Sequence, residues 1–144
     1  MTQEVVKNYN RNQIGQFAMS PEKQKALAIK NSLVQFTGTE SYHKFSILSK
    51  LVITDGVKYL CDKASAYWLM DLIASYQPKC QKDEMLRDMQ FWTITVNGSQ
   101  AVVKCERDTN DIAFNQKIGY TDFPIQGETK LWCQNGVILL PSEY

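Results

Sequence analysis

The spacing of apolar residues predicts a helix near the start of the chain and a second, more apolar helix near its middle. Ser20 and Pro21 are typical of a helix start, so we expect a helix over residues 21–34. The segment AYWLMDLIASY, residues 66–76, is apolar on all sides except one narrow stripe. This pattern predicts a central helix over residues 64–77.

Three β-hairpins are predicted, because three Asx-Gly dipeptides each stand between segments in which apolar and polar residues alternate. The dipeptides are Asp55-Gly56, Asn97-Gly98 and Asn135-Gly136. The first is expected to join a strand over residues 45–54 to one over residues 57–61. In the second, pairing Val96 with Ser99 places one apolar face towards the core and one polar face towards water.

Together these elements predict an α+β fold: an antiparallel sheet of about six strands, built from the three hairpins, with the central helix and the N-terminal helix packed on it. A short helix is expected over residues 81–89, and mainly loop over residues 108–129. Residues 1–16, which are rich in Asn and Gln, are expected to form a mobile arm. Residues 17–144 are then expected to form a single domain.

The third hairpin is apolar on both faces. Its predicted register places Trp132, Val137 and Leu139 on the face opposite the core. Either another part of the chain or a second molecule is expected to cover this face. The pattern therefore predicts a homodimer contact through these three residues, and the alternative is that the helix over residues 21–34 covers them.

The composition narrows the possible partners. Of the 144 residues, 44% are hydrophobic and 22% are charged, which is typical of a globular protein, and the formal net charge of +1 gives no support to nucleic-acid binding. No apolar segment is long enough to cross a bilayer, so we expect a cytoplasmic protein without a membrane partner. The widely spaced cysteines predict buried thiols, and neither a metal nor a cofactor is expected.

The polar stripe on the central helix is one candidate site. Tyr67, Asp71 and Ser75 fall in one sector of that helix, beside Trp68. Three interpretations remain open for Asp71. It lies on a solvent-exposed strip or fixes the helix by hydrogen bonds, it lines a ligand-binding cleft, or it contacts another protein.

Signs of catalysis are few, since the chain has one histidine and none of the common catalytic motifs. His43 near Glu40 suggests a base with an orienting carboxylate, but a histidine in an exposed strand or loop is the simpler interpretation.

Three segments, FTGTESYH, TDGVKYL and AYWLMDLIASYQ, together resemble a family of small uncharacterised bacterial proteins, a domain of unknown function that is also found in phages and other mobile elements. The resemblance covers about residues 33–140, with the motifs F-T-G-T-E, T-D-G-V-K-Y-L and A-Y-W-L-x-D-x-I-A-S-Y-Q. His43 stands where a second tyrosine is usual, which weakens its case as a general base. The resemblance implies a bacterial or phage source and no established activity.

These observations lead to two functional hypotheses. The first is a non-catalytic domain that binds another protein, which agrees with the small size, the single histidine and the nearly neutral charge. The alternative is a domain that binds a small molecule in a concave pocket of about 300 Å³ or more. The candidate residues for either site are Glu40, Tyr42, His43, Tyr67, Trp68 and Asp71.

Overall fold

One sheet and five α-helices make up the computed structural model, which describes residues 19–144. The helices are α1 (Pro21–Leu33), α2 (Asp55–Ala64), α3 (Tyr67–Ser75), α4 (Gln77–Cys80) and α5 (Glu84–Asp88). The strands are β1 (Tyr42–Lys44), β2 (Val52–Thr54), β3 (Gln90–Asn97), β4 (Gln100–Asp108), β5 (Asp111–Ile118), β6 (Gly127–Gln134) and β7 (Val137–Leu139). A 3-10 helix, Pro141–Glu143, follows β7. The predicted arm over residues 1–16 lies outside the described residues.

The sheet has seven strands in the order β1-β2-β7-β6-β3-β4-β5. The β2–β7 pair is parallel, and the other neighbouring pairs are antiparallel. The predicted α+β class is therefore confirmed, whereas the expectation of a wholly antiparallel sheet is wrong.

The predicted first hairpin is wrong, because Asp55-Gly56 begins helix α2 instead of forming a turn. The side chain of Thr54 caps this helix by accepting a hydrogen bond from the Val57 backbone N–H at 3.3 Å. A threonine cap and an acidic first turn satisfy the free amides of a helix start, which favours a helix over a turn here. Strand β2 consequently ends at Thr54 and pairs with β1 and β7.

The C-terminus is tied to the start of α2 by Glu143. Its carboxylate accepts hydrogen bonds from the Thr54 hydroxyl at 2.6 Å, the Gly56 backbone N–H at 3.1 Å and the Leu140 backbone N–H at 2.9 Å. Gly56 is buried directly beneath this carboxylate, where a Cβ atom would have no room. The last residues of the chain thus complete the cap of a helix that begins almost ninety residues earlier.

The β3–β4 hairpin is confirmed, with a turn one residue later than predicted. Asn97 pairs with Gln100, so the turn is formed by Gly98 and Ser99 rather than by Asn97 and Gly98. Gly98 has a φ of +66°, which glycine adopts without strain. Because the turn shifts by one residue, each β3 residue lies opposite a β4 residue two positions further along than predicted. Side chains two positions apart on a strand share one face, so the predicted core face is preserved. Its members are Trp92, Ile94, Val96, Ala101, Val103 and Cys105, all buried.

The β6–β7 hairpin has the predicted register, with Gln134 opposite Val137. Asn135 and Gly136 both have positive φ, as the tight turn of a two-residue hairpin requires. Its predicted core face is confirmed, since Leu131, Cys133, Ile138 and Leu140 are all buried.

Strand β5, Asp111–Ile118, lies where mainly loop was predicted. It is an edge strand, and its pairing with β4 shifts between Cys105 and Glu106. The shift interrupts the alternation of buried and exposed side chains along β5. Ile112 is therefore exposed, while Phe114 packs against the core. An edge strand with a bulge gives a weak period of two in the sequence.

The helical layer covers the sheet face that carries Trp92 and Ile94, and within this layer α1 packs mainly on α2. The predicted central helix is confirmed as α3, although it is shorter than expected, and its buried residues Leu69, Met70 and Ile73 share one core with those strand residues. Helix α1 is confirmed with Ser20 as its cap, and α5 lies within the predicted short helix.

Candidate functional site

The loop between β1 and β2, residues 45–51, exposes two large aliphatic side chains. Ile47 is 100% exposed and Leu48 is 94% exposed. The loop is nevertheless held at both ends, because Phe45 packs against the core and Leu51 is buried. The predicted strand over residues 45–54 is therefore wrong for its first seven residues, which form this loop, and only Val52–Thr54 form a strand.

Two serine turns determine the shape of this loop. The Ser46 hydroxyl accepts a hydrogen bond from the Leu48 N–H at 3.1 Å, and the Ser49 hydroxyl accepts one from the Leu51 N–H at 3.1 Å. Such bonds replace the backbone turn bond and favour one local conformation. The exposure of Ile47 and Leu48 is therefore a property of an organised loop.

A cavity of about 450 Å³ lies beside this loop. Its walls come from the loop, the end of α3, α4, the α5–β3 junction and the β6–β7 turn. The residues that line it are Leu48, Ser49, Lys50, Leu51, Ala74, Gln77, Pro78, Gln81, Arg87, Gln90, Cys133, Asn135 and Gly136. The volume falls within the range of about 300–1,000 Å³ that is usual for ligand pockets.

One wall of the cavity is a pair of glutamine side chains. Gln77 and Gln90 exchange reciprocal amide hydrogen bonds, both 2.9 Å long. Gln90 is 3% exposed, and its carbonyl oxygen also accepts from the Trp92 indole at 2.8 Å. Its amide nitrogen donates as well to the Leu86 carbonyl oxygen, so the hydrogen-bonding capacity of Gln90 is fully used. The pair forms a fixed polar wall.

The charged residues that line the cavity are Lys50 and Arg87, and both are exposed. Within residues 19–144, no carboxylate lies within 4.0 Å of either cation. Arg107 shows the contrast, because its guanidinium pairs with Asp83 at 2.7 Å and with Asp111 at 3.0 Å. The cavity therefore carries positive charge that the described part of the chain leaves uncompensated.

The predicted helix stripe lies elsewhere. The Tyr67 hydroxyl donates a hydrogen bond to Asp62 at 2.5 Å. Burial is the main cause that raises the pKa of Tyr67, and this hydrogen bond is the second. Trp68 packs half-buried against the core. Asp71 is exposed, and its side chain has no hydrogen-bond or ion-pair partner in the described chain. This geometry agrees with the interpretation of Asp71 as part of a solvent-exposed strip.

The loop that contains Glu40 and His43 surrounds Asp55 at the start of α2. The Glu40 backbone N–H donates to Asp55 Oδ2 at 3.0 Å, and His43 Nε2 lies 2.7 Å from Asp55 Oδ1. Thr39 accepts a hydrogen bond from the Asp55 N–H at 2.9 Å. The carboxylate beside His43 is therefore Asp55 and not Glu40, which corrects the suggested pair. Tyr42 is 62% exposed on β1.

The segments FTGTESYH and TDGVKYL thus meet at Asp55, although they stand apart in the sequence. The hydrogen bond from His43, and then that from the Glu40 N–H, hold the pKa of Asp55 below its ordinary value. Because the folded state lowers this pKa, the ionised carboxylate stabilises the fold at pH values above about 4, and the contribution disappears as the pH falls through the lowered pKa.

We expect Asp55→Asn to lower stability at neutral pH and to lose that effect in acid. The difference in urea midpoint between wild type and variant should be largest at pH 7 and should shrink from about pH 4 downwards. Urea unfolding at a series of pH values measures it. Asp71→Asn is the control, since Asp71 is exposed, and should leave the midpoint unchanged. A difference for Asp55→Asn that stays constant down to pH 2 would contradict the role of the ionised carboxylate.

The residues of the predicted dimer contact lie on the sheet face opposite the helices. Trp132 pairs with Leu139 in the β6–β7 ladder. The Trp132 ring contacts Tyr144 edge-on, with centroids 5.3 Å apart, and Phe91 with centroids 5.4 Å apart. Leu139 is buried, while Val137 and Trp132 are partly exposed. The chain's own C-terminus covers part of this face, and the homodimer contact stays a prediction.

All four cysteines are free and buried, as predicted. Burial raises the pKa of Cys80 to about 11 and those of Cys61 and Cys133 to about 12. Burial also raises the pKa of Cys105. The thiols are therefore protonated at neutral pH. Across residues 19–144, no cluster of three or more His, Cys, Asp and Glu side chains is arranged to hold a metal ion.

The sequence did not point to the cavity. Two of its lining residues, Ala74 and Gln77, belong to the predicted central helix over residues 64–77. The six candidate binding residues line none of the cavities described here, whereas Trp132 of the predicted dimer contact lines a separate cavity. One local signal was present: in S-I-L-S, residues 46–49, two serines flank two aliphatic residues, which is unusual for a strand with one exposed face.

No helix among the described residues is both long and apolar enough to span a membrane.

The structure thus defines an α+β domain with a mixed sheet and a cavity beside an exposed aliphatic loop. The chain belongs to DUF6876, a family of unknown function, whose model matches residues 27–144. A search of curated proteins and a search of solved structures found no match. The family match confirms the resemblance to a domain of unknown function.

Proposed function

We propose that this protein is a non-catalytic domain that binds another protein through the β1–β2 loop and the neighbouring cavity. The observation that carries the proposal is the adjacent exposure of Ile47 and Leu48 on a loop that two serine hydrogen bonds organise. Scattered exposed aliphatic residues are ordinary, but two adjacent ones beside a cavity form a compact apolar surface. Burying each such side chain contributes about 1.5–3 kcal/mol, so a partner that covers both gains useful binding energy.

The biological setting is a further part of the proposal. The three sequence motifs support a bacterial or phage source, associated with a mobile element. Four buried free cysteines suit a reducing compartment, which supports the cytoplasm.

A small-molecule ligand is the second candidate, and the volume of the cavity favours it. Tyr67, Trp68 and Asp71, which this alternative placed in its pocket, line none of the cavities described for residues 19–144. A ligand held inside the cavity would also leave Ile47 exposed, because Ile47 is not among the lining residues. For these reasons the protein partner is the better supported candidate.

We expect the double variant Ile47→Asp and Leu48→Asp to lose its protein partner while remaining folded. Wild type and variant are purified from a bacterial host under mild conditions, and co-purifying proteins are quantified by mass spectrometry. A partner recovered with wild type should fall about tenfold or more with the variant. The thermal midpoint should be unchanged, because both side chains are almost fully exposed.

Ile112→Asp is the matched control, since Ile112 is an exposed aliphatic residue on the edge strand β5, 47% accessible. This variant should retain the partner. Equal recovery of the partner with the double variant would contradict the proposal. Native mass spectrometry that shows a small molecule and no protein with the wild type would favour the second candidate.

A further inference from the structure

The positive charge of the cavity indicates what chemistry its occupant carries. Lys50 comes from the β1–β2 loop and Arg87 from α5, so two separate parts of the chain bring cations to one space. In the described chain the other side chains that line this space carry no charge. Other exposed lysines of the described chain, such as Lys44 and Lys117, also have no carboxylate within 4.0 Å, and Lys50 and Arg87 differ from these in lining one cavity together. Two exposed cations that face one concave surface favour an anionic group on whatever enters it.

The remaining walls favour an apolar group next to that anion. Leu48, Leu51, Ala74 and Pro78 supply apolar surface, whereas the buried amide of Gln90 has no free hydrogen-bonding capacity. An occupant therefore finds its charged partners at Lys50 and Arg87 and its apolar contacts along the walls. Amphipathic occupants of this kind carry a carboxylate beside an aliphatic or aromatic group.

We propose that the cavity binds an acidic peptide segment of the partner protein, in which an aliphatic or aromatic side chain stands next to Asp or Glu. The inference rests on the proposed function and adds the chemistry of the partner. A peptide is favoured over a free organic acid because Leu48 both lines the cavity and continues into the exposed surface with Ile47. One extended segment can fill the cavity and cover both side chains.

The test uses a random peptide library displayed on phage, selected against the whole chain. The enriched peptides should carry Asp or Glu next to Leu, Ile or Phe. Synthetic copies, titrated by fluorescence polarisation, should bind about tenfold more weakly to Lys50→Gln and to Arg87→Gln. Replacing the acidic residue of the peptide by its amide should weaken binding to wild type by at least about tenfold, and it should weaken binding to Arg87→Gln by a smaller factor, because one of the two cations is already absent.

Lys117→Gln is the control, because Lys117 is an exposed lysine on β5 that does not line this cavity, and it should bind as wild type does. The inference is overturned if no peptide is enriched, if the enriched peptides lack acidic residues, or if neither cation affects their binding. Neutral peptides that lose binding to the Ile47→Asp, Leu48→Asp variant would overturn this inference and leave the proposed function intact. Acidic peptides that need Lys50 and Arg87 but ignore that double variant would support the charge site and contradict the proposed loop surface.

Discussion

Replacing Ile73 by alanine is expected to lower the free energy of unfolding by about 2–5 kcal/mol. Ile73 lies on α3 and has no measurable exposure, and it shares a core with Leu69 and Trp92. Removing three carbons from a close-packed interior costs the transfer energy of those carbons and leaves a cavity that the neighbours fill only in part. Leu69→Ala is expected to fall in the same range, for the same reason.

Urea unfolding followed by tryptophan fluorescence measures the loss. Asp71→Ala, on the exposed side of the same helix, is the matched control and should change stability by less than about 0.5 kcal/mol. A loss below about 1 kcal/mol for Ile73→Ala would show that this face of α3 is not packed in the core.

Gly56→Ala is expected to destabilise the protein by about 1–3 kcal/mol, although alanine normally favours a helix over glycine by about 0.5–1 kcal/mol. A Cβ at this position would lie 2.6 Å from Leu140 Cδ1 and 2.8 Å from Glu143 Oε1. Both atoms end flexible side chains, but Leu140 is buried and Glu143 is held by three hydrogen bonds. Relief of the clash must therefore disturb the core or break the cap of α2.

A double-mutant cycle with Glu143→Ala tests this origin. The cost of Gly56→Ala should be smaller in the Glu143→Ala background, because part of the clash is then absent. Gly38→Ala is the control, since no atom lies within 4 Å of a Cβ built there, and it should leave stability within about 0.5 kcal/mol of wild type. A stabilising effect of Gly56→Ala would show that intrinsic helix preference outweighs the contact.

The parts of the fold that the sequence predicted correctly are those that local chemistry decides. Ser20 and Pro21 start α1, and the Asn-Gly dipeptide at residues 135 and 136 forms the turn between β6 and β7. The hairpin predicted at Asp55-Gly56 was wrong because Asp and Gly favour both a hairpin turn and a helix start. The hydrogen bonds that decide for the helix come from Thr54 and from Glu143, which is distant in the sequence.

The candidate site was beyond local reasoning for a similar reason. Its walls come from four parts of the chain, around residues 48–51, 74–81, 87–90 and 133–136. The parallel pairing of β2 with β7 brings the first and last of these together. That pairing depends on long-range packing, which no pattern within β2 or β7 specifies.

The parallel β2–β7 pair also sets the order in which the chain can assemble. Strands β1 and β2 join the rest of the sheet through β7, whose residues 137–139 lie near the C-terminus. During synthesis, β1 and β2 therefore have no edge of the larger sheet to join until β7 has left the ribosome. The contact order of this pair is high, and closing so long a loop is slow. Until β7 emerges, the apolar side chains of β2 lack their partners in the sheet, and exposed apolar surface of this kind makes an incomplete chain prone to association.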